Sequence, residues 1–287
     1  MKIKVLIDSS CDIATNDEIG FESVPLTINT AENSYVDDDS LDVNKMINDF
    51  SKYKGKSSTA CPSIGFWLNA FDDADEIYII TMTSGISGTY GAAQNAKAIY
   101  LEDHPNAKIG IFDTLSTAAE ETLVVEKAIE LAHSGNTFEK NCEILEDYVK
   151  HTRLFFCLES LKNFAQNGRV NKVVASLVGI LNIKIFGTVS NEGTLLPVAK
   201  CATYKQVINS LIENLEKAGY KGGRVRIAHV QNESKANLVK KEILKLYPNA
   251  EIKIYKTRGI CSYYAENGGV LIGVECENEY EKIYKNH

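Results

Sequence analysis

Through the first half of the chain, short apolar runs alternate with stretches of helical spacing, and this alternation restricts the fold more than any other feature. The runs at 3–7, 24–28, 76–82 and 108–112 have strand length, whereas 43–53, 90–101 and 118–132 carry apolar residues at helical intervals. Ser63 opens a further helix carrying Trp67 and Phe71. Strand–helix alternation of this kind predicts a mostly parallel, Rossmann-like sheet covered by helices on both faces. Ligands of such sheets bind beyond the carboxyl ends of the strands, where Asp8, Ser84 and Asp113 are expected to gather.

The second half reads differently. A helix over 138–152 leads to a strand at 154–157, a short helix at 161–164 and an apolar helix over 173–181. Residues 183–189 and 195–201, joined by Ser190-Asn-Glu-Gly193, form an expected hairpin. Helices at 205–218 and 234–247 and strands at 225–230, 251–255 and 270–274 complete an α+β unit with a mixed sheet. The expected organisation is therefore an N-terminal α/β domain, 1–155, and a C-terminal α+β domain, 156–287, with a ligand cleft between them.

Charge and composition exclude several classes. A net charge of −7 gives no footprint for nucleic acid, and the Lys-rich stretch 234–247 reads as the solvated face of an amphipathic helix. No run approaches the roughly 18 apolar residues of a membrane span, and the first residues enter a strand without an apolar leader, so a cytoplasmic location is expected. Seven scattered cysteines without a CxxC pair suit reduced thiols better than disulfides or a metal site.

The segment Thr81-Met-Thr-Ser-Gly-Ile-Ser-Gly-Thr89 carries the strongest chemical signal. It joins a strand to a helix, its glycines let the backbone approach a ligand, and the helix N-terminus favours negative charge. Hydroxyls of Thr83, Ser84, Ser87 and Thr89 add neutral donors, although Ser87 or Thr89 taken alone also fits a plain helix cap.

Taken in order, Asp8-Ser-Ser-Cys-Asp12, Ser58-Thr-Ala-Cys-Pro-Ser63, Thr83-Ser-Gly-Ile-Ser-Gly-Thr-Tyr90, Phe112-Asp-Thr114, Asn167-Gly-Arg169 and Leu181-Asn-Ile-Lys184 resemble the DegV family of fatty-acid-binding proteins across essentially the whole chain. The resemblance implies a non-catalytic carrier that needs no cofactor or metal. It would bury one long-chain fatty acid in an apolar tunnel and present the carboxylate to a separate fatty acid kinase. It further implies that Thr59 and Ser84 hold the carboxylate, with Thr83, His229 and Glu266 as head-group neighbours, and that Arg169 lies on the rim where the kinase docks. The resemblance also allows transient contact with a membrane surface. For Arg169 the alternative is a charge closing a helix, and for His229 a structural histidine.

Several positions depart from the family pattern. Thr59-Ala-Cys-Pro-Ser63 has lost a hydroxyl, Glu120-Glu-Thr122 stands where small glycines are usual, and Ala265-Glu-Asn-Gly-Gly269 replaces a histidine-bearing loop. A carboxylate at Glu120, Glu121 or Glu266 facing the head group would oppose a fatty acid, shifting preference toward another hydrogen-bonding amphiphile, unless Glu266 points to solvent. The rival from another class is a hydrolase using Ser84 or Ser87, but Gly85-Ile-Ser-Gly88 lacks the spacing of a nucleophile elbow. A metal-dependent phosphotransfer site at Asp8, Asp12 and Asp113 would lack a phosphate-binding loop.

Overall fold

The computed structural model describes residues 2–16, 20–170, 174, 176–177 and 182–282. The helix expected over 173–181 falls almost wholly outside them. A four-stranded parallel sheet, in the order β2-β1-β6-β7, is built from β1 (Ile3–Asp8), β2 (Phe21–Val24), β6 (Glu76–Thr81) and β7 (Lys108–Asp113). Alternate residues supply its two faces. Val5, Ile7, Tyr78 and Ile80 pack toward α4 (Ala119–Ala132) and α5 (Phe138–Lys150), whereas Leu6, Ile77 and Ile79 pack on Trp67 and Phe71 of α2 (Ile64–Phe71) and on Ala93 and Ala96 of α3 (Thr89–Asp103). The mostly parallel sheet with helices on both faces is thus present.

The run at 24–28 is not one strand. Pro25 interrupts it; β2 pairs parallel with β1, while β3 (Thr27–Asn29) joins a separate antiparallel sheet with β4 (Ser34–Val36) and β5 (Ser58–Ala60). α1 (Val43–Lys52) follows β4 and is capped by Asp42, whose side chain accepts the Lys45 N–H at 2.9 Å.

The second sheet is mixed and six-stranded, β10-β9-β8-β13-β11-β12. Its strands are β8 (Thr152–Leu158), β9 (Lys184–Val189), β10 (Leu195–Cys201), β11 (Arg224–His229), β12 (Glu251–Lys256) and β13 (Val270–Glu275). One face is covered by α7 (Tyr204–Lys217) and α8 (Glu233–Leu246), which bury Phe155, Phe186 and Ile227. The opposite face carries Leu154, Phe156, Leu158 and Leu271 into a core shared with Ile28, Met82 and Ala118 of the first half. Two short helices border that core, α6 (Lys162–Gln166) and α9 (Gly259–Ala265). Gly273 of β13 is required there, since a Cβ would lie 2.2 Å from the Ala119 carbonyl at the start of α4.

β8 pairs with β13 from Thr152 to Cys157, so a domain boundary at 155 would cut through a strand. No helix among the described residues is long and apolar enough to cross a membrane.

Candidate functional site: an apolar cavity with a polar mouth

The carboxyl ends of β1, β6 and β7 meet, as the strand order requires, and their acids hold the serine-rich loop in place. Asp8 accepts the Met82 N–H at 2.8 Å, and Asp113 accepts the Ser84 N–H at 3.2 and 3.3 Å and the Leu115 N–H at 2.9 Å. The Thr83 hydroxyl donates to the Gly193 carbonyl and accepts the Gly85 N–H, each at 2.9 Å. This clamps the loop to the β9–β10 hairpin. A Cβ on Gly85 would lie 2.3 Å from the Glu192 carbonyl, and one on Gly193, at φ +73°, would lie 1.9 Å from Thr83 Oγ1.

Beside this clamp, between the two halves, lies an apolar cavity whose empty volume is about 610 Å³ with its opening included. Met82, Ile86 and Ala118 line it from one side, and Phe156, Leu195 and Leu271 from the other. A second space of about 590 Å³ shares Met82, Ile86 and Tyr264 with it and is lined further by Thr59, Ser87, Gly88 and Arg169. An apolar interior therefore adjoins, across Met82, Ile86 and Tyr264, a mouth furnished with hydroxyls and a guanidinium.

The mouth is suited to an anion. Gly88 precedes the 15-residue helix α3, whose first N–H, that of Thr89, is given to Ser87 Oγ at 3.3 Å, and the positive end of the helix dipole is directed there. Ser87 Oγ lies 2.7 Å from Thr89 Oγ1, and Thr59 Oγ1 lies 2.7 Å from the Tyr264 hydroxyl. Arg169 is half-buried; its Nε donates to the Ile86 carbonyl at 3.1 Å and its Nη1 to that of Asn167. Among the described residues no carboxylate pairs with it.

A family model described as "Uncharacterised protein, DegV family" matches residues 2–276. The chain belongs to the DegV family. It is similar to a DegV domain-containing protein of Streptococcus pneumoniae, 40% identical over 283 residues that cover 96% of this chain and 100% of the relative. Among solved structures it resembles a DegV family protein of Eubacterium eligens loaded with heptadecanoic acid, with a TM-score of 0.92 and 42% identity over 96% of this chain and 100% of the other. It also resembles the Fatty Acid Kinase (Fak) B3 protein of Streptococcus pneumoniae loaded with linoleic acid, with a TM-score of 0.93, 40% identity and the same coverage.

Within this DegV-family frame the residues anticipated for the head group separate. Thr59 and Arg169 come together at the mouth, 110 positions apart in sequence. Ser84, expected with Thr59 at the carboxylate, does not line the mouth with them. Its N–H is already given to Asp113, and a second carboxylate at that point would be repelled by the first. Ser87, three residues on, lines the mouth, and its Oγ accepts the Thr89 N–H at 3.3 Å. Thr83 lines the cavity, but its hydroxyl is engaged on both sides by Gly193 and Gly85.

His229 and Glu266, expected as head-group neighbours, lie apart from Thr59 and Arg169. His229 is buried at the end of β11, where Nδ1 accepts the Asn232 N–H at 3.2 Å, and burial depresses its pKa. Glu266 accepts from the Ser160 hydroxyl at 2.8 Å and the Asn163 N–H at 3.2 Å at the start of α6, where a carboxylate complements the first-turn amides. Neither is among the described residues lining the cavity or its mouth.

The other unexpected acids are accounted for inside the fold. Glu120 meets the Lys282 ammonium at 2.9 Å and the Thr152 hydroxyl at 2.8 Å. Glu121 accepts the Ala118 N–H at 3.0 Å and the Ser10 hydroxyl, and that hydroxyl also lies 2.6 Å from Asp8. One hydroxyl proton cannot serve both carboxylates, so the Asp8–Ser10–Glu121 cluster holds an additional proton. Burial accordingly raises Asp8 to about 6 and Glu121 well above the ordinary carboxylate range, with mutual repulsion adding to the latter.

The enzymatic alternatives find no support in the contacts. Ser84 meets Asp113 and Ser87 meets Thr89, and neither has a histidine partner among the described residues. Asp8, Asp12 and Asp113 do not converge on a metal; the one group able to gather ligand atoms among the described residues, Asp147, His151 and Glu279, lines neither cavity nor mouth. Tyr264 is the site residue that sequence periodicity misses, because α9 has no local start signal of its own.

Proposed function

We propose that this chain is a fatty-acid carrier that buries a long acyl chain in the cavity and holds the carboxylate at the mouth through Thr59, Ser87, the start of α3 and Arg169. The observation that carries the reading is an apolar interior that shares a wall, Met82, Ile86 and Tyr264, with a mouth whose only formal charge, among the described lining residues, is the Arg169 guanidinium. The E. eligens and S. pneumoniae relatives loaded with heptadecanoic and linoleic acid support it.

Affinity comes chiefly from the tail, at about 0.8 kcal/mol per buried CH₂, so a long chain gains on the order of 10 kcal/mol before the costs of association. The polar mouth fixes direction, because hydroxyl and guanidinium donors satisfy a carboxylate that the apolar end would leave bare. With the carboxylate at the opening and no histidine beside either serine among the described residues, the chain presents the head group to a separate fatty acid kinase. Arg169, serving the anion on its inner side, also marks the rim where that kinase docks. The seven free cysteines fit work in the reducing cytoplasm.

Organic extraction of the freshly purified protein, followed by lipid mass spectrometry, tests the reading. One fatty acid per chain is expected. A small polar metabolite in its place, or no uptake of oleate by the extracted protein, would overturn it.

A further inference from the structure

Two hydroxyl rungs run in parallel from α9 to the segment around β5. The inner rung joins Tyr263 to Ser57 at 2.7 Å; it is buried, and Asn167 Nδ2 also donates to the Tyr263 hydroxyl at 2.8 Å. The outer rung joins Tyr264 to Thr59 at 2.7 Å and borders the mouth. Its two hydroxyls carry two protons between them, of which the rung uses one. Neither has another hydrogen-bond partner among the described residues, so the second proton is available to a ligand.

The setting of Tyr264 makes that proton useful. The ring lines both the apolar cavity and the mouth, so its hydroxyl lies where the chain changes from tail to head. It is held there by Phe164, whose ring centroid is 4.7 Å away, and by Tyr263 at 4.9 Å. α9 is itself fixed, because Asp37 accepts the Gly259 and Ile260 N–H groups at 2.7 Å each. Burial raises the phenol pKa, keeping it a neutral donor at physiological pH.

Building on the carrier reading, we propose that the Tyr264 hydroxyl is a direct head-group ligand and, with Thr59, selects an anionic carboxylate over a neutral polar group. A carboxylate entering the mouth replaces the Thr59–Tyr264 bond with two, one oxygen accepting from each hydroxyl. The free protein stores these donors on each other. They are therefore pre-positioned without leaving either unsatisfied.

The test compares oleate with methyl oleate on delipidated parent and Tyr264→Phe, a change that keeps the ring packing and removes only the hydroxyl. Oleate affinity should fall about tenfold or more, the worth of one charge-assisted hydrogen bond, while methyl oleate changes by much less. Thr59→Val should act in the same direction, and in the double variant the losses should not simply add, because the two donors share one carboxylate. Equal weakening of both lipids would mean that Tyr264 only shapes the wall, and unchanged oleate affinity would remove it from the head-group site. If the parent binds neither lipid, the carrier reading fails, an outcome separate from the other two.

Discussion

Replacing Glu121 by Gln probes the buried acid cluster that shares the cavity wall through Ser10 and Ala118. Glu121 Oε2 accepts both the Ala118 N–H and the Ser10 hydroxyl, whereas buried Oε1 has no partner among the described residues. A glutamine with its carbonyl oxygen in the Oε2 position keeps the Ala118 N–H bond, leaves the Ser10 proton to Asp8 and removes the carboxyl that must otherwise hold a proton. Raised carboxyl pKa values fix the sign: the contribution to stability is full below the ordinary values of 3.8 and 4.5 and is lost as pH rises through the folded-state values.

For Asp8, carried from 3.8 to about 6, the loss amounts to about 3 kcal/mol by neutral pH. For Glu121 it grows by about 1.4 kcal/mol with each pH unit above 4.5 through which the proton is kept. Glu121→Gln should therefore match the parent near pH 5 and become more stable toward pH 8, by a few degrees of melting temperature for each kcal/mol. Thermal melts followed by circular dichroism across about pH 5 to 8 give the comparison. Parallel curves, or a variant less stable than the parent at pH 8, would refute the shared-proton argument.

Three further outcomes follow from the contacts. Ser87→Ala should weaken oleate binding by about 1–3 kcal/mol in a fluorescence displacement assay while Ser84→Ala leaves it unchanged, and the reverse result would return the head group to Ser84. Gly193→Ala should destabilise the protein by about 2 kcal/mol or more in urea denaturation, since the residue combines a positive φ with a contact to Thr83; a neutral effect would show that the hairpin is not clamped. Lys282→Met, which leaves Glu120 buried without its cation, should cost about 3 kcal/mol, and adding Glu120→Gln should recover most of it; no recovery would mean that Lys282 acts by packing alone.

The parts of the fold legible in the sequence are those with local causes. α1, α2, α5 and α7 each begin at a residue whose side chain caps the first turn, Asp42, Ser63, Thr137 and Thr203, and periodicity carries them onward. The elements that escaped are made by distant partners. β5 is a polar triplet that becomes a strand through pairing with β3, and α9 is capped by Asp37, 222 residues earlier. The candidate site shows the same division. Spacing pointed to the serine-rich loop as a candidate anion site, but not to Asp113 of the neighbouring strand, which takes the Ser84 N–H. Tyr264 was hidden because its helix has no local signal, and Glu266 misled because its partners, Ser160 and Asn163, lie about a hundred residues away.

The central claim is that the tail lies in the cavity and the carboxylate at the mouth. A crystal structure of the protein loaded with a fatty acid brominated at its terminal carbon would locate both ends at once. The account predicts an anomalous bromine peak among Leu154, Phe156 and Leu195, with carboxylate density against Thr59, Ser87 and Arg169. Bromine at the mouth, or an acyl chain lying outside the cavity, would contradict it.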